Sequence, residues 1–244
     1  MSKQLIIVLC GKKQAGKNTA CNFIVTQYLN KIRGHFPQNG EYCLDKNGHV
    51  SLNVYNEKKV WQHVTNQFQH EGVKVYSFAD PLKAFCIDVL GVPYESCYGT
   101  DDQKNMPIEH ILWDNLPNEI RRGKSGVMTG REIMQSVGTD ICRRIYDDCW
   151  AKGTLNIIKK EKHPLALISD GRFPNEVIIS KSFGAKTVKL KRNIYNDNHR
   201  SETALDDFDE KNFDLTIDNS SLSIEETCKI LEKEVLQWMK LMFF

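Results

Sequence analysis

The chain has no long apolar run. No window approaches the roughly 20 consecutive apolar residues that a membrane-spanning helix needs. The stretch Met1 to Cys10 lacks a positive segment leading into an apolar core of signal-peptide length, because Gly11 and Lys12 interrupt it. Net charge is almost absent as well: 33 Lys and Arg stand against 31 Asp and Glu, leaving +2. A nucleic-acid polymer is ordinarily met by a basic excess or a basic face, and this balance demands neither. Cysteine is not scarce, at eight, but no two cysteines form a C-x-x-C pair, and the seven histidines include no H-x-x-x-H pair. Zinc and dithiol redox motifs therefore have no support. Several cysteines lie inside apolar runs, which favours free buried thiols in a reducing compartment over a disulfide framework. These absences predict a cytoplasmic protein with neither a membrane nor a nucleic-acid polymer as partner.

What is present is an ordinary globular composition, 41% hydrophobic and 26% charged. A length of 244 residues fits one domain over 1–244 with an insertion better than two domains. Short branched runs at Leu5 to Cys10, Val73 to Phe78, Pro164 to Ser169, Lys186 to Leu190 and Leu215 to Ile217 read as buried strands. Helical spacing runs from Lys17 to Ile32, from Asp80 to Leu90, from Pro174 to Phe183 and from Ser223 to Lys240. Thr129 and Glu132 form a capping-box pattern opening another helix, which pauses at Gly138; Ile141 to Cys149 then continues in helical register. The middle, Gly91 to Met128, is polar and loop-rich, with Pro93, Pro107 and Pro117. Asp45-Lys-Asn-Gly48 between two short strands reads as a β-hairpin, inside an insertion spanning 34–72 that continues into a short polar helix near Trp61 to His70. The closing Leu-Met-Phe-Phe reads as a last helical turn on the core. Strands alternating with helices predict an α/β fold: a three-layer P-loop NTPase architecture, with a parallel five-stranded sheet and helices on both faces. Ligands in such sheets bind beyond the carboxyl ends of the strands. The loops beginning at Gly11, Asp80, Asp170 and Lys191 are therefore where a site belongs.

Gly11-Lys-Lys-Gln-Ala-Gly16-Lys17-Asn18-Thr19 lies between a buried strand and a helix, the context a Walker A loop requires. Gly11 permits the turn, Gly16 lets the backbone approach phosphate, and the amides of Lys13, Ala15 and their neighbours, with the helix N-terminus, face the anion. Lys17 supplies a point charge to the outer phosphates. The usual magnesium-ligating hydroxyl is replaced by Asn18, and a hydroxyl follows one place later at Thr19. Asp170, at the end of the third sheet strand, is either a carboxylate that organises magnesium through water or a cap for the helix after it. Arg172 beside it suits forked bonding to phosphate oxygens. The segment 191–209, with Arg192 and Arg200, is either a basic lid that neutralises charge and excludes water or a solvated charged loop. Phe78, Asp80 and Lys83 can hold an acceptor, as can Arg131 and Arg143. Phe78 and Trp150 either stack on a base or belong to the core. No His–Asp pair is needed, because an acceptor phosphate is already an anionic nucleophile.

The segments VLCGKKQAGKNTA, VYSFADPLK, YGTDDQKN, MTGREIMQSVGTDICRRIYDDCW, ISDGRFPNE and HRSETALDDF followed by FDLTIDN resemble, in order, the phage-type deoxynucleoside monophosphate kinases. The resemblance implies transfer of the ATP γ-phosphate to a deoxynucleoside monophosphate, with magnesium, for DNA precursor supply. It places Gly11, Gly16, Lys17, Asn18 and Thr19 on the ATP loop, and Lys83, Arg131, Gln135, Arg143, Trp150 and Arg172 in the acceptor pocket. Arg192 and Arg200 fall in the lid. Family members usually carry Asp where this chain has Asn18, so direct magnesium ligation there loses a charge. Animal phosphomevalonate kinases share the loop and the SE-x-x-LD-x-F tail, and they differ more through YGTDDQKN and GTDICRR. A nucleotide-dependent switch protein is a third reading, for which the sequence offers no water-positioning residue or partner face. An exposed hairpin edge would suit a homodimer.

Overall fold

All six residues of the first strand, β1 (Leu5–Cys10), are buried, as expected of a strand covered on both faces. The computed structural model describes residues 4–33, 40–54, 72–194, 200–240 and 242, with backbone alone at 31–33, 40, 52–54 and 200–201. From β1 the chain passes through a glycine–lysine loop into α1 (Lys17–Gln27), which continues as a π-helical turn, Tyr28–Arg33. Strands β2 (Gly40–Leu44) and β3 (Val50–Val54) follow, then β4 (Val73–Tyr76). Next come α2 (Asp80–Asp88), α3 (Tyr94–Tyr98), α4 (Asp101–Lys104), β5 (Pro107–Leu112), α5 (Asn118–Arg121), β6 (Val127–Thr129) and α6 (Gly130–Gln135). A π-helical segment, Ser136–Cys142, leads into α7 (Arg143–Ile145) and α8 (Cys149–Glu161). The remainder is β7 (Leu165–Gly171), α9 (Pro174–Ser182), β8 (Lys186–Leu190), α10 (Arg200–Thr203), β9 (Leu215–Ile217) and α11 (Ile224–Lys240).

Two compact units result: Met1–Ser77 with Leu155–Phe244, and Phe78–Thr154. The first carries the five-stranded sheet, ordered β4-β7-β1-β8-β9 with every pairing parallel. This is the α/β architecture expected from the alternation of strands and helices. β1 is central: Ile7 sits opposite Leu167 on one side and Lys186 on the other. Alternate side chains serve opposite faces. Leu5, Ile7 and Leu9 join Leu165, Leu167, Val188 and Leu190 in a cluster with Ala20, Ile24 and Val25 of α1 and Leu231, Val235 and Trp238 of α11. The intervening residues Ile6, Val8, Ala166 and Ile168 are also buried, as are Leu155 and Ile158 of α8 and Val177 of α9. The α11 helix starts where Ser223 and Glu226 exchange their capping-box bonds, as the sequence predicts. From the closing tetrapeptide Met242 is buried in the same cluster; its other three residues lie outside the described ones.

The hairpin β2–β3 pairs antiparallel from Gly40 opposite Val54 to Leu44 opposite Val50. Its turn is held by Asp45, whose Oδ1 accepts from the Asn47 and His49 amides at 2.8 and 2.9 Å. The expected helix near Trp61 to His70 lies outside the described residues.

In the second unit the polar, loop-rich stretch 91–128 also carries short regular elements. It holds three short helices and the antiparallel pair β5–β6. Leu82, Cys86, Val92, Cys97, Ile108, Trp113, Met128 and Ile133 form a core of their own. Thr129 and Glu132 make the predicted capping box at α6. The expected continuous register from Ile141 to Cys149 breaks at Tyr146, which is extended at φ −154° and ψ 104°. The guanidinium of Arg143 donates to the Asp147 carbonyl at 3.1 Å, satisfying an acceptor past the helix end. A separate 13-residue helix, α8, then starts at Cys149.

Candidate functional site

Because the five strands are parallel, their carboxyl ends share one edge. Gly11, Ser77, Asp170, Lys191 and Asp218 follow or close β1, β4, β7, β8 and β9 there. The edge is cross-linked. The Gly11 amide donates to the Gly171 carbonyl at 3.2 Å, and the Lys191 amide to the Ile217 carbonyl at 3.0 Å. The Ser77 hydroxyl donates to Asp170 Oδ2 in a short bond.

The loop Gly11–Gly16 needs both glycines. Gly11 has φ +146°, and a Cβ there would lie 2.6 Å from the Leu190 carbonyl oxygen. Gly16, at φ 96°, caps α1 from the left-handed region. Gly16 offers that helix no side-chain cap, and its first turn has no acidic residue, so its amide end keeps its positive potential. Ala15 is fully buried, and its carbonyl accepts from Asn219 Nδ2 at 2.9 Å. The ammonium of Lys17 donates to the carbonyls of Gly11 and Lys12 at 2.8 and 2.6 Å. Burial, and next the nearby Arg172 guanidinium, lower the Lys17 pKa to about 8, while Asp170 works in the opposite direction. Lys17, Arg172 and Asp170 therefore act on one small volume.

Asn18 is exposed at the start of α1. Thr19 sits against the hairpin turn: a Cβ on Gly48 would lie 2.7 Å from its Oγ1. Asn22 holds the same turn by donating to the Gly48 carbonyl at 2.9 Å. The Thr19 hydroxyl expected one place late thus packs beside the hairpin.

Two carboxylates that sequence reasoning missed organise the loop after β7. Glu176, 2% exposed, accepts from the Arg172 and Phe173 amides at 2.8 and 3.0 Å. Glu202, 7% exposed, accepts from the Lys13 amide at 2.6 Å and from the Arg172 guanidinium in a short bond. Nearby, Lys12 pairs with Asp206 at 2.9 Å. Glu202 and Asp206 are thus tied to the loop; 195–199 lie outside the described residues, and of Arg200 only the backbone is described. Arg192 is engaged by backbone: its Nε donates to the Asn219 carbonyl at 3.0 Å and its Nη2 to the Leu222 carbonyl. Buried Asn219 receives the Arg192 amide at 2.9 Å. Only its place after a short strand could have flagged Asn219, and nothing in the charged stretch around Glu202 marks it as buried.

The second unit holds the remaining expected residues. Phe78 is buried, at 2% exposure. Tyr98 links two of the others: its hydroxyl donates to Asp80 Oδ1 at 3.3 Å, and Lys83 Nζ lies 4.2 Å from its ring centre. Burial, then the Asp80 carboxylate, push the Tyr98 pKa up. Arg131 donates to Asn105 Oδ1 at 2.9 Å and to Asp101 Oδ1 at 2.7 Å. Gln135 is exposed. Trp150 packs against that unit's core and donates its indole N–H to the Gly138 carbonyl at 3.0 Å. Arg143 is committed to Asp147.

Among the described residues no group of three or more His, Cys, Asp or Glu could hold a metal ion by itself. Asp170 brings a carboxylate to the surroundings of Lys17. That fits magnesium, which keeps several waters and is held by one or two carboxylates together with substrate phosphates. No helix among the described residues is long and apolar enough to cross a membrane.

No family model matches the chain. It is 31% identical over 164 residues to a protein of Acanthamoeba polyphaga mimivirus named "Putative deoxynucleotide monophosphate kinase", an alignment spanning 62% of this chain and 76% of the viral protein.

Proposed function

Because the chain belongs to the family of that mimivirus protein, a P-loop kinase-like group, we propose that it transfers the γ-phosphate of ATP to the phosphate of a deoxynucleoside monophosphate. The observation that carries this reading is the convergence of Lys17, Arg172 and Asp170 at the carboxyl edge of the sheet, beside the amide end of α1. In the proposed reaction an acceptor phosphate oxygen attacks the γ-phosphorus. The bond to the bridging oxygen breaks, and ADP leaves with the electron pair. The nucleophile is already anionic, so no general base enters. Lys17 binds the outer phosphates, and Arg172 neutralises charge on the group in transfer. Asp170, and Asn18 through its amide oxygen, would hold magnesium, which supplies charge neutralisation across the phosphates when bound. Asp80, Lys83, Arg131 and Gln135 are the acceptor-binding residues in this reading, and Arg192 and Arg200 contribute positive charge from the segment after β8.

The test is ADP release from magnesium-ATP, measured with the four deoxynucleoside monophosphates, the ribonucleotides and phosphomevalonate as acceptors. Activity confined to deoxynucleotides is expected. Activity with phosphomevalonate alone would overturn the acceptor and keep the donor. In the same assay Lys17→Ala should lower turnover at least about a hundredfold; near-normal activity in the folded variant would remove the loop from the mechanism.

A further inference from the structure

Among the described residues, Glu202 is the least exposed carboxylate at the carboxyl edge apart from the helix-capping Glu176. Its two oxygens serve two separate parts of the donor site. Oε2 takes the backbone amide of Lys13, within the glycine–lysine loop, and Oε1 takes the guanidinium of Arg172, from the loop after β7. A buried carboxylate is stable only when paired and hydrogen-bonded, and here both conditions are met by elements the reaction would use. The Arg172 side chain is 29% exposed against 6% for Glu202, so the carboxylate is the fixed end of the pair and the arginine the end that faces outward. Arg172 is also the cation that acts most on Lys17. Its position therefore matters to the loop's own charge.

We propose that Glu202 is a positioning residue for phosphate transfer: it locks Arg172 to the phosphate-binding loop, so that guanidinium and loop present one fixed set of positive groups. This rests on the kinase reading above. Glu202 carries a negative charge close to where ATP phosphates would lie, so it opposes ground-state binding while ordering the group used in transfer. That combination separates it from a residue with a purely structural role, whose loss would weaken both.

The variants are Glu202→Gln, Arg172→Ala and the double variant, each as the full chain, with folding checked by thermal unfolding. Two readouts apply: magnesium-ATP affinity by calorimetry, and kcat for the best acceptor. For Glu202→Gln, kcat should fall about tenfold or more, while ATP affinity holds or rises up to about fivefold. In the Arg172→Ala background the same change should add less than about twofold, because coupled residues are not additive. Weakened ATP binding in step with kcat, an unchanged kcat, or full additivity would each overturn the proposal. If the wild-type chain transfers phosphate to no acceptor, the kinase reading fails by itself. The affinity cycle then judges Glu202: non-additive Kd changes for Glu202→Gln and Arg172→Ala support the lock, and additive ones overturn it.

Discussion

Lys17 is a cation held where a cation is costly. Burial and Arg172 lower its pKa from 10.5 to about 8, equivalent to roughly 3 kcal/mol against the charged form in the ligand-free fold. Between pH 8 and 10.5 the unfolded chain binds this proton and the folded chain does not, so stability rises with pH across that window on account of this group. Lys17→Met should therefore be more stable than wild type by about 1–3 kcal/mol at pH 7 without nucleotide. The difference should vanish toward pH 10.5, as denaturant unfolding at several pH values would read. An anionic ligand reverses the sign for the loop: it favours the protonated lysine. Magnesium-ATP binding above pH 8 should take up a proton, visible as a buffer-dependent binding enthalpy. Gly11 carries a different cost. A side chain there meets the Leu190 carbonyl and demands φ +146°. Gly11→Ala should destabilise by about 1–3 kcal/mol, measured by the same unfolding experiment.

At the scale of elements, the parts legible in the sequence are those with strong local chemistry. The five strands of the sheet are visible as short branched runs. The hairpin is visible because Asn47-Gly48 dictates its turn, and α6 and α11 because each begins with a capping box. The Thr129 box can be tested: Thr129→Ala should cost about 1 kcal/mol and loosen the helix that carries Arg131 and Gln135. Urea unfolding gives the first, and amide exchange in 130–135 gives the second. The misreadings share a cause. β5 has the burial pattern of a strand with little core face, exposed at Pro107, Glu109 and His110, so no run of apolar residues announces it. The turn at Tyr146 is accompanied by an Arg143 contact to the Asp147 carbonyl, which helical spacing does not encode. Glu202 and Asn219 are polar residues in polar stretches. Their burial is decided by which loops the sheet brings beside them, and no local pattern carries that.

The two compact units have separate hydrophobic clusters, and the residues proposed to hold the donor nucleotide belong to the unit with the sheet. Magnesium-ATP alone should slow amide exchange in 11–27 and in 170–176 and leave the β5–β6 pair unchanged; protection found only in β5–β6 would place the donor site elsewhere. The sheet order has a further consequence, for the chain during its synthesis. β1 is made before both of its strand partners: Leu5 pairs with Leu165, and the β8 side of the strand waits for Lys186. At about 5–20 residues per second, the roughly 160 residues separating Leu5 from its first partner take about 8–30 s to appear. Throughout that interval β1 has α1 to pack against but no strand partner, so the nascent chain is a natural client for chaperones that shield exposed apolar segments.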